Sequence, residues 1–442
     1  MESLKIQNFC GLNNARLELA PINLFIGPQA TGKSVAAKLV YYFREAISGL
    51  RTFAHAQTEW KVVREKLSER LANYFGVDEV GATSFALDYE ICDCTLRVHR
   101  GDSIHAKIKF DASEFFSDTY AELLALSRGA NISGEASEEP AQADMAALLA
   151  QRFSELVTPV LGGAATYEQL FVPAARASLA LLPTQLLGQI AGRKDLDVWM
   201  PKFADLLSGT RNTLKRLGFY GEKPTLGNER TEKLVSQYRK SIQPVLRAEV
   251  EFDGEAERLR LDDGRVISML RASSGQQESL PLLLVLGRFT ALHHVEGRSV
   301  FIEEPEAHLW PGAQRQIMHL LAEMFHRRQD QMQLLLTTHS PYVLSTVNNL
   351  LEAGRRYAAL EAQMLNAPKS RQTKLAARRK QLEAIVPQRR VLSPGSVAAW
   401  QFNEGSATKL LDNEFGILGA DLLDAVSDEL DSDWNQLQEI GE

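Results

Sequence analysis

The apolar residues of this chain fall into short blocks that predict a mixture of strands and helices. Alternating positions at Leu4–Phe9 and Leu17–Leu19 predict two short strands, and the apolar run Ile22–Ile26 predicts a third. Helical spacing follows over Ser34–Leu50, and Phe85–Phe110 alternates with the period of an antiparallel hairpin or meander. The first part of the chain is therefore expected to alternate between strands and helices.

The later part of the chain resumes this alternation after a long helical stretch. Ala146–Leu246 is mostly helical in pattern, and Ser127–Asp144, rich in small and polar residues, is typical of a loop. Two apolar runs, Ser299–Ile302 and Leu334–Leu336, predict buried strands, and a helix over Pro311–Gln331 fits between them as a crossover. No long heptad run indicates a coiled-coil arm. These patterns predict an α/β protein.

The composition is that of an ordinary globular protein and narrows the class of partner. The chain has 442 residues, of which 45% are hydrophobic and 24% charged, and its net charge of −7 gives no overall reason to expect nucleic-acid binding. Its three cysteines, Cys10, Cys92 and Cys94, do not form a disulfide scaffold and favour a reducing compartment. No apolar run approaches the roughly 20 residues of a membrane span, and Met1–Lys5 lacks a signal-peptide pattern. We therefore expect a soluble cytoplasmic protein with no membrane partner.

The most specific motif begins directly after the third predicted strand. Residues 27–34 read GPQATGKS and fill every position of the phosphate-loop pattern G-x-x-x-x-G-K-[S/T], between a strand and a helix. In this setting backbone N–H groups and the helix N-terminus bind phosphate, Lys33 reaches the β- and γ-oxygens, and Ser34 holds Mg²⁺. The alternative, an ordinary glycine-rich turn, is weakened by the flanking elements. We therefore expect a nucleoside triphosphate to bind through Gly27, Pro28, Gln29, Ala30, Thr31, Gly32, Lys33 and Ser34.

Paired carboxylates end the first of the two later strands. Glu303 and Glu304 follow Ile302, where a buried parallel strand would place one acid beside Mg²⁺ and the next beside the attacking water. We predict that Glu303 contributes to the metal site through a water molecule, because its side chain is longer than that of the usual Asp. We predict that Glu304 is the general base. The alternative is a pair of charges that face solvent at a strand end.

A histidine ends the second of these strands. His339 follows the apolar run directly, and a crossover helix between the two strands would make them neighbours in a parallel sheet. The carboxyl ends of parallel strands meet at the edge where α/β sheets bind ligands, so His339 is expected next to Glu304. We predict that His339 senses the γ-phosphate. The alternative is a histidine with a purely structural role.

A weaker motif, Ser273–Glu278, precedes an apolar helix. A Ser-Gly pair that opens a helix makes an anion-binding N-terminus, so Ser274, Gly275 and Gln276 are candidate nucleotide contacts. Taken alone, the same segment is a helix cap, with Ser274 as the capping residue and Glu278 in the first turns. The order of all four motifs favours the functional interpretation.

That order resembles the heads of ATP-binding-cassette (ABC) ATPases, particularly the group of RecF, structural-maintenance-of-chromosomes (SMC) and overcoming-lysogenization-defect (OLD) proteins. The opening LKIQNFCGLNNARLELAPINLFIGPQATGKS resembles their N-terminal lobe, SSGQQE their signature motif, FIEEPEAHLWP their acid strand and TTHSPYVL their switch histidine. The specific likeness covers about residues 1–50 and 265–350. It implies Mg²⁺-dependent ATP hydrolysis by a dimer or higher oligomer, in which Ser274 and Gly275 of one copy contact the γ-phosphate held by another.

The resemblance also implies an architecture: an ABC-type head with a mixed sheet, a phosphate-loop core, an antiparallel β-subdomain, a helical insertion and a C-terminal α/β extension. The expected divisions are an N-terminal ATPase lobe (1–125), a mainly helical insertion (126–246), a C-terminal ATPase lobe (247–350) and an extension (351–442) with a basic helix and an acidic helical tail. Two features depart from the group. Gln29-Ala30 replaces the common Asn-Gly, and the sequence does not place a Q-loop glutamine, for which Gln169 and Arg176 are candidate substitutes.

The C-terminal extension lacks the pattern of a nuclease domain. Asp431 and Asp433 stand in an acidic, helix-like segment with no preceding apolar strand, so we interpret them as solvated surface. Residues 355–390 hold ten basic residues and two acidic ones, a local charge suited to nucleic acid or to an acidic partner. The alternative for this segment is a solvated helix face.

The ending, with LSPGSVAAWQF and LDNEFGILGADL, is similar to stand-alone ATPase subunits of two-gene bacterial anti-phage systems of the PARIS type. This likeness implies a scaffold and sensor that assembles with ATP, holds a separate nuclease or toxin effector, and releases it when a phage protein is sensed. The competing hypothesis is a DNA-repair or DNA-clamping head that closes on a duplex. The negative net charge and the lack of coiled-coil arms disfavour this alternative, whereas the basic segment Arg355–Arg390 is consistent with it. A nucleotide-gated interaction module with negligible turnover is a third possibility.

Overall fold

The computed structural model describes residues 2–76, 84–103, 106–129, 142–191, 197–254, 256–292, 297–328, 331–365, 367–410, 418–419, 432 and 436. Within these ranges the strands are β1 (Glu2–Phe9), β2 (Leu12–Leu19), β3 (Ile22–Ile26), β4 (Phe85–Ile91), β5 (Cys94–Arg100), β6 (Lys109–Ala112), β7 (Glu168–Val172), β8 (Ala248–Phe252), β9 (Glu257–Leu261), β10 (Val266–Ser268), β11 (Arg298–Glu303), β12 (Met332–Thr338), β13 (Val397–Asn403) and β14 (Ser406–Lys409). The helices are α1 (Lys33–Ser48), α2 (Leu50–His55), α3 (Trp60–Phe75), α4 (Glu114–Gly129), α5 (Gln142–Leu161), α6 (Ala177–Ala180), α7 (Thr184–Ala191), α8 (Trp199–Arg216), α9 (Glu229–Leu246), α10 (Ser274–Ala291), α11 (Pro311–Arg327), α12 (Pro341–Leu365) and α13 (Lys369–Ile385). The expected α/β class is confirmed.

One mixed sheet organises the described part of the chain, with eleven strands in the order β6-β5-β4-β1-β2-β14-β13-β3-β12-β11-β7. The five strands from β13 to β7 run parallel to one another, and those from β6 to β2 run antiparallel. All residues of β3 and β11 are buried, as expected for central parallel strands covered on both faces. The loops that follow β3, β7, β11 and β12 therefore meet at one edge of the sheet.

Alternate side chains of the central strands supply two separate hydrophobic cores. Ile22 and Leu24 of β3 pack into one core together with apolar residues of α8 to α12. Phe25 points to the opposite face and joins a second core, formed with α1 and with the antiparallel strands β1, β2, β4 and β5. The period-two alternation of a strand explains this division, and it fixes β3 between two helical layers.

The C-terminal extension is built into the sheet. The sequence predicts an extension from residue 351, and β13 of this segment pairs in parallel with β3, the strand that leads into the phosphate loop. β14 follows as a hairpin and also pairs with β2, so these two strands join the parallel and antiparallel halves. Residues from both ends of the chain therefore form the centre of one sheet. The predicted acidic tail lies almost entirely outside the described residues.

The span predicted as a helical insertion also contributes a strand. Its β7 forms the edge of the main sheet and pairs in parallel with β11, while α8 and α9 pack over α10. Between α9 and α10 the strands β8, β9 and β10 form a separate three-stranded antiparallel sheet. Most of the loop predicted at Ser127–Asp144 lies outside the described residues. Among the described helices, none combines the length and apolar character needed to cross a bilayer.

Candidate active site

The phosphate loop joins β3 to α1 with the backbone that its glycines allow. Gly27 has φ 149° and Gly32 has φ 97°, both in the region that favours glycine. A Cβ on Gly27 would lie 2.2 Å from the carbonyl oxygen of Phe402 in β13, so the C-terminal strand packs directly against the loop. Ala30 also has a positive φ, 60°, at a position where the motif commonly has glycine. Close packing and backbone conformation thus both fix this loop.

The remaining loop residues face outward. Pro28, Gln29 and Ala30 are exposed, as is Ser34 in the first turn of α1. Thr31 Oγ1 donates to the Pro28 carbonyl oxygen at 2.9 Å and closes the loop on itself. The open side of the loop and the N-terminus of α1 are thus available to an anion.

Lys33 is folded back onto this loop. Its ammonium donates to the carbonyl oxygens of Gly27 at 2.9 Å and Pro28 at 2.6 Å. The residue is 5% exposed, and this burial lowers the pKa of Lys33 from 10.5 to about 8, an effect that Glu304 and Glu306 oppose. Phosphate oxygens would offer the same ammonium charged acceptors in place of neutral ones.

Glu304 occupies a constrained corner directly after β11. It has φ 43°, an uncommon conformation for a residue with a side chain, which costs of order 1 kcal/mol. Its N–H donates to the carbonyl oxygen of Thr337 in β12 at 2.9 Å, and its own carbonyl oxygen accepts from Arg176 at 3.0 Å. Contacts on both sides therefore impose the turn that aims the carboxylate out of the sheet edge.

Lys33, His339 and Glu304 form a continuous row. Lys33 Nζ lies 3.4 Å from His339 Nδ1, and His339 Nε2 lies 3.0 Å from Glu304 Oε1. An ammonium can only donate, so Nδ1 is the acceptor and the proton of a neutral histidine is on Nε2, where it donates to Glu304. The structure thus brings together three residues that are separated by up to 306 positions in the sequence. Their catalytic roles remain predictions.

Sequence reasoning did not assign a role to Glu306, which fixes the backbone of His339. Its Oε1 accepts from the Thr338 hydroxyl and from the N–H of His339, the latter at 3.0 Å. Burial raises the pKa of Glu306, and its hydrogen bonds oppose that rise. The sequence feature that could have indicated this role is the E-x-E spacing of Glu304 and Glu306. The second acid of this turn binds the end of the neighbouring strand β12.

Glu303 fits the metal role suggested by its position. Its Oε2 accepts from the N–H of Ala174 at 3.1 Å, whereas its Oε1 is buried without a hydrogen-bond partner. A buried carboxylate oxygen normally has a partner, and a hydrated Mg²⁺ would supply one. Together with the hydroxyl of Ser34, this oxygen would give the all-oxygen donor set that Mg²⁺ prefers.

The signature segment differs in detail from the sequence prediction. Ser273, rather than Ser274, caps α10, in a capping box with Gln276. Gln276 also donates to the carbonyl oxygen of Leu246 at 2.8 Å, so its side chain has a structural role here. A Cβ on Gly275 would lie 2.7 Å from the carbonyl oxygen of His308, which places this turn against the loop after Glu306. Ser274 is exposed.

Of the two Q-loop candidates, one is misplaced and the other is buried beside the acids. Gln169 pairs with Ser299 at the opposite end of β11, four residues or about 13 Å along the strand from Glu303. Its amide donates to the Tyr167 carbonyl oxygen. Arg176 is fully buried and bonds to the backbone around Glu303 and Glu304. The register of β7 against β11 places Arg176 beside the acids and Gln169 far from them, and the sequence does not reveal this register.

Residues 166–344 match the family model of the AAA ATPase domain. The matched segment contains the turn at Ser274 and Gly275, the corner formed by Glu303 and Glu304 (the acid corner) and His339, and it begins after the phosphate loop. No curated protein matches the sequence significantly.

Several solved structures are similar over most of their length. They include an SMC head with an extended coiled coil bound to the C-terminal domain of ScpA from Pyrococcus furiosus (9% identity, all of both chains, TM-score 0.37), the SMC head domain from Thermotoga maritima (10% identity, 78% of this chain and 90% of that chain, TM-score 0.32) and the recombination mediator RecF (12% identity, 92% and 97%, TM-score 0.35). These likenesses are too distant to carry an argument about function. Together with the phosphate loop described above, the match to the AAA ATPase domain model indicates an ATP-hydrolysing enzyme.

Proposed function

We propose that the protein binds Mg-ATP at the phosphate loop and hydrolyses it with Glu304 as general base and His339 as the γ-phosphate sensor. The row from Lys33 through His339 to Glu304 carries this proposal. It links the residue that binds the terminal phosphates to the residue that would activate water, through a side chain that touches both.

Binding of ATP would rearrange this row. The β- and γ-phosphates would replace the carbonyl oxygens of Gly27 and Pro28 as acceptors for Lys33, which frees His339 Nδ1. His339 would then be available to the γ-phosphate. A water molecule in line with the terminal phosphorus would give its proton to Glu304 as it attacks, and ADP would leave. Mg²⁺, held by Ser34 and through water by Glu303, would supply charge neutralisation.

We further propose that two copies face each other across two ATP molecules. The exposed Ser274, at the N-terminus of α10, supports this arrangement because a helix N-terminus attracts phosphate and no contact of this turn runs to the phosphate loop of its own chain among the described residues. Lys33→Ala should abolish ATP binding and assembly. Glu304→Gln should trap ATP and double the mass measured by light scattering. A Glu304→Gln protein that remains a monomer with ATP bound would contradict the paired arrangement.

The proposed biological role is that of a scaffold and sensor in a bacterial anti-phage system, which holds a separate nuclease and releases it when a phage protein is detected. The similarity of the C-terminal segments to such ATPase subunits supports this role. Native complexes isolated with the Glu304→Gln protein should contain nuclease activity, and those isolated with Lys33→Ala should not. Equal nuclease recovery from both variants would contradict ATP-dependent holding.

A DNA-clamping head is the second candidate, and the basic face of α13 favours it. Arg371, Lys374 and Arg378 are exposed on this helix, where they could follow a phosphate backbone. Ion pairs neutralise part of the positive charge elsewhere in residues 355–390. Arg355 and Arg356 contact Glu352, while Arg389 and Arg390 contact Glu323. The charge that the sequence suggests is thus partly neutralised by acids outside the segment.

Charge reversal distinguishes this second candidate. Reversing Arg371, Lys374 and Arg378 should weaken duplex binding and flatten its salt dependence if the protein clamps DNA. Reversing the exposed Lys61, Lys66 and Lys233 on other helices is the matched control. Equal effects of both triple variants, or no duplex binding by the wild type, would exclude clamping through α13.

A further inference from the structure

Arg176 is a fully buried arginine that joins two parts of the candidate site. It follows the turn after β7, and its exposed fraction is zero. Its guanidinium donates to four carbonyl oxygens: Glu278 at 2.9 Å, Pro173 at 3.0 Å, Glu303 at 2.9 Å and Glu304 at 3.0 Å. Two of these acceptors form the acid corner, and one lies in α10.

The charges around Arg176 are those of the site. Burial lowers the pKa of Arg176, and the carboxylates of Glu278, Glu306, Glu304 and Glu303 oppose this effect. The nearest of these, Glu278 Oε2, lies 3.7 Å from Arg176 Nε. A buried cation without such compensation would be strongly unfavourable. The arginine and the acids therefore depend on one another.

At one end, Arg176 and its turn fix the acid corner. The N–H of Ala174 in the same turn holds the Glu303 carboxylate at 3.1 Å, and Arg176 holds the carbonyl oxygens of Glu303 and Glu304. Thr337 of β12 holds the N–H of Glu304 from the other side. The left-handed backbone of Glu304 is thus clamped between two neighbouring strands.

At the other end, Arg176 holds the first turns of α10. Glu278 lies one helical turn after Ser274, and its carbonyl oxygen and carboxylate both face the guanidinium. Ser274 and Gly275 are the residues that the proposed function brings to the nucleotide of a second copy. A single rigid side chain therefore connects that turn to the backbone of Glu304.

We propose that Arg176 is a positioning residue for hydrolysis, which aligns Glu304 when the N-terminal turn of α10 contacts the γ-phosphate held by a second copy. This inference rests on the proposed function of paired heads. Arg176 does not itself contact the nucleotide. It transmits the position of α10 to the general base through backbone hydrogen bonds.

Arg176→Lys tests the proposal, because lysine keeps the charge but cannot reach four acceptors with a planar fork. The matched control is Arg211→Lys, which alters another buried arginine. Arg211 pairs with Glu257 at 2.6 Å and donates to the carbonyl oxygen of Leu182, away from the acid corner. The readouts are kcat, the dissociation constant for ATP measured by binding, and the mass in the presence of ATP.

Arg176→Lys should lower kcat about 100-fold, the cost of misplacing a catalytic group by about 1 Å. Its ATP dissociation constant should stay within about twofold of wild type, since Lys33 is untouched. Arg211→Lys should keep a kcat within about threefold. Unchanged kcat for Arg176→Lys, or equal losses in both variants, would overturn the positioning role.

If Arg176→Lys shows no cooperative unfolding transition and is therefore not folded, Glu278→Gln serves as the test instead. It keeps the backbone acceptor and removes one charge beside Arg176, so a smaller loss of kcat at unchanged ATP affinity supports the proposal, and an unchanged kcat overturns it. A wild-type protein that binds no ATP would refute the proposed function itself. A wild-type protein that turns over while the variants behave like Arg211→Lys would refute the positioning role alone.

Discussion

Raising the pH from 7 to 9 should weaken ATP binding about tenfold, because Lys33 loses its charge in the free protein over this range. Burial lowers the pKa of Lys33 to about 8. At pH 7 about nine in ten molecules carry a charged Lys33, and at pH 9 about one in ten do, which corresponds to about 1.4 kcal/mol of binding free energy. The triphosphate restores the charged form, so binding takes up a proton.

The direction of the effect follows from which state binds the proton more tightly. The lowered pKa disfavours the charged lysine in the free protein, whereas phosphate oxygens favour it in the complex. Affinity is therefore greatest below pH 8 and declines as pH rises above it. Proton uptake on binding should be about one half at pH 8 and should approach one above pH 9. The terminal phosphate of ATP contributes little, since its own pKa of about 6 lies well below this range.

Isothermal titration calorimetry measures this uptake directly. ATP binding is titrated at pH 7, 8 and 9 in two buffers with different ionisation enthalpies, and the difference in heat gives the number of protons. Lys33→Arg is the control, because a guanidinium stays charged over this range and should abolish the pH dependence of whatever affinity remains. An affinity that is constant from pH 7 to 9, or heats independent of buffer at pH 8, would refute the account of Lys33.

Three further changes have defined outcomes. Glu304→Gln should lower kcat by about 10²- to 10⁴-fold with ATP affinity retained, and normal phosphate release would exclude it as the base. Burial and Arg390 lower the pKa of His319 to about 4, so stability is lost as pH falls from 6.5 to 4, by up to about 3 kcal/mol. In urea unfolding at pH 7 and 4.5, His319→Gln should reduce this loss, and an identical acid slope would contradict it. Gly27→Ala should lower the free energy of unfolding by about 2 kcal/mol or more in the same assay, because its Cβ would meet the backbone of Phe402. Gly101→Ala is the control and should lower it little, because a Cβ there meets nothing within 4 Å. Equal losses in both variants would contradict the close packing of Gly27.

The convergence of Lys33, Glu304 and His339 could be predicted from the sequence because each follows an unmistakable apolar strand. Parallel strands joined by helices end at the same edge, so the three polar groups had to meet there once β3, β11 and β12 were neighbours. Local pattern and topology together were sufficient. The distances, the tautomer of His339 and the folded-back position of Lys33 depend on side-chain packing that no pattern contains.

Other features of the fold could not be predicted, for reasons specific to each. β13 pairs with β3 although more than 370 residues separate them in the sequence, and the short apolar run of β13 does not indicate which strand it pairs with. Ser273 and Ser274 are adjacent serines, and only the helix start decides which one is the cap. Gln169 was misplaced because the register of β7 against β11 sets it at the far end of the strand.

Arg176 is the functional candidate that the sequence suggested least clearly. A lone arginine in a turn is usually exposed, and only the closeness of four carboxylates makes its burial possible. These acids come from β11, the turn after it and α10, so their meeting is a property of the tertiary structure. The sequence alone therefore offered Arg176 as a possible contact but not as a link between two elements.

The most direct test is a structure of the Glu304→Gln protein with Mg-ATP. We expect a triphosphate in the phosphate loop, with Lys33 moved from the Gly27 and Pro28 carbonyl oxygens to the phosphates, His339 beside the terminal phosphate, and Ser274 of a second copy across from it. A triphosphate bound elsewhere, or one that leaves Lys33 on its own loop, would contradict ATP binding and hydrolysis at this site.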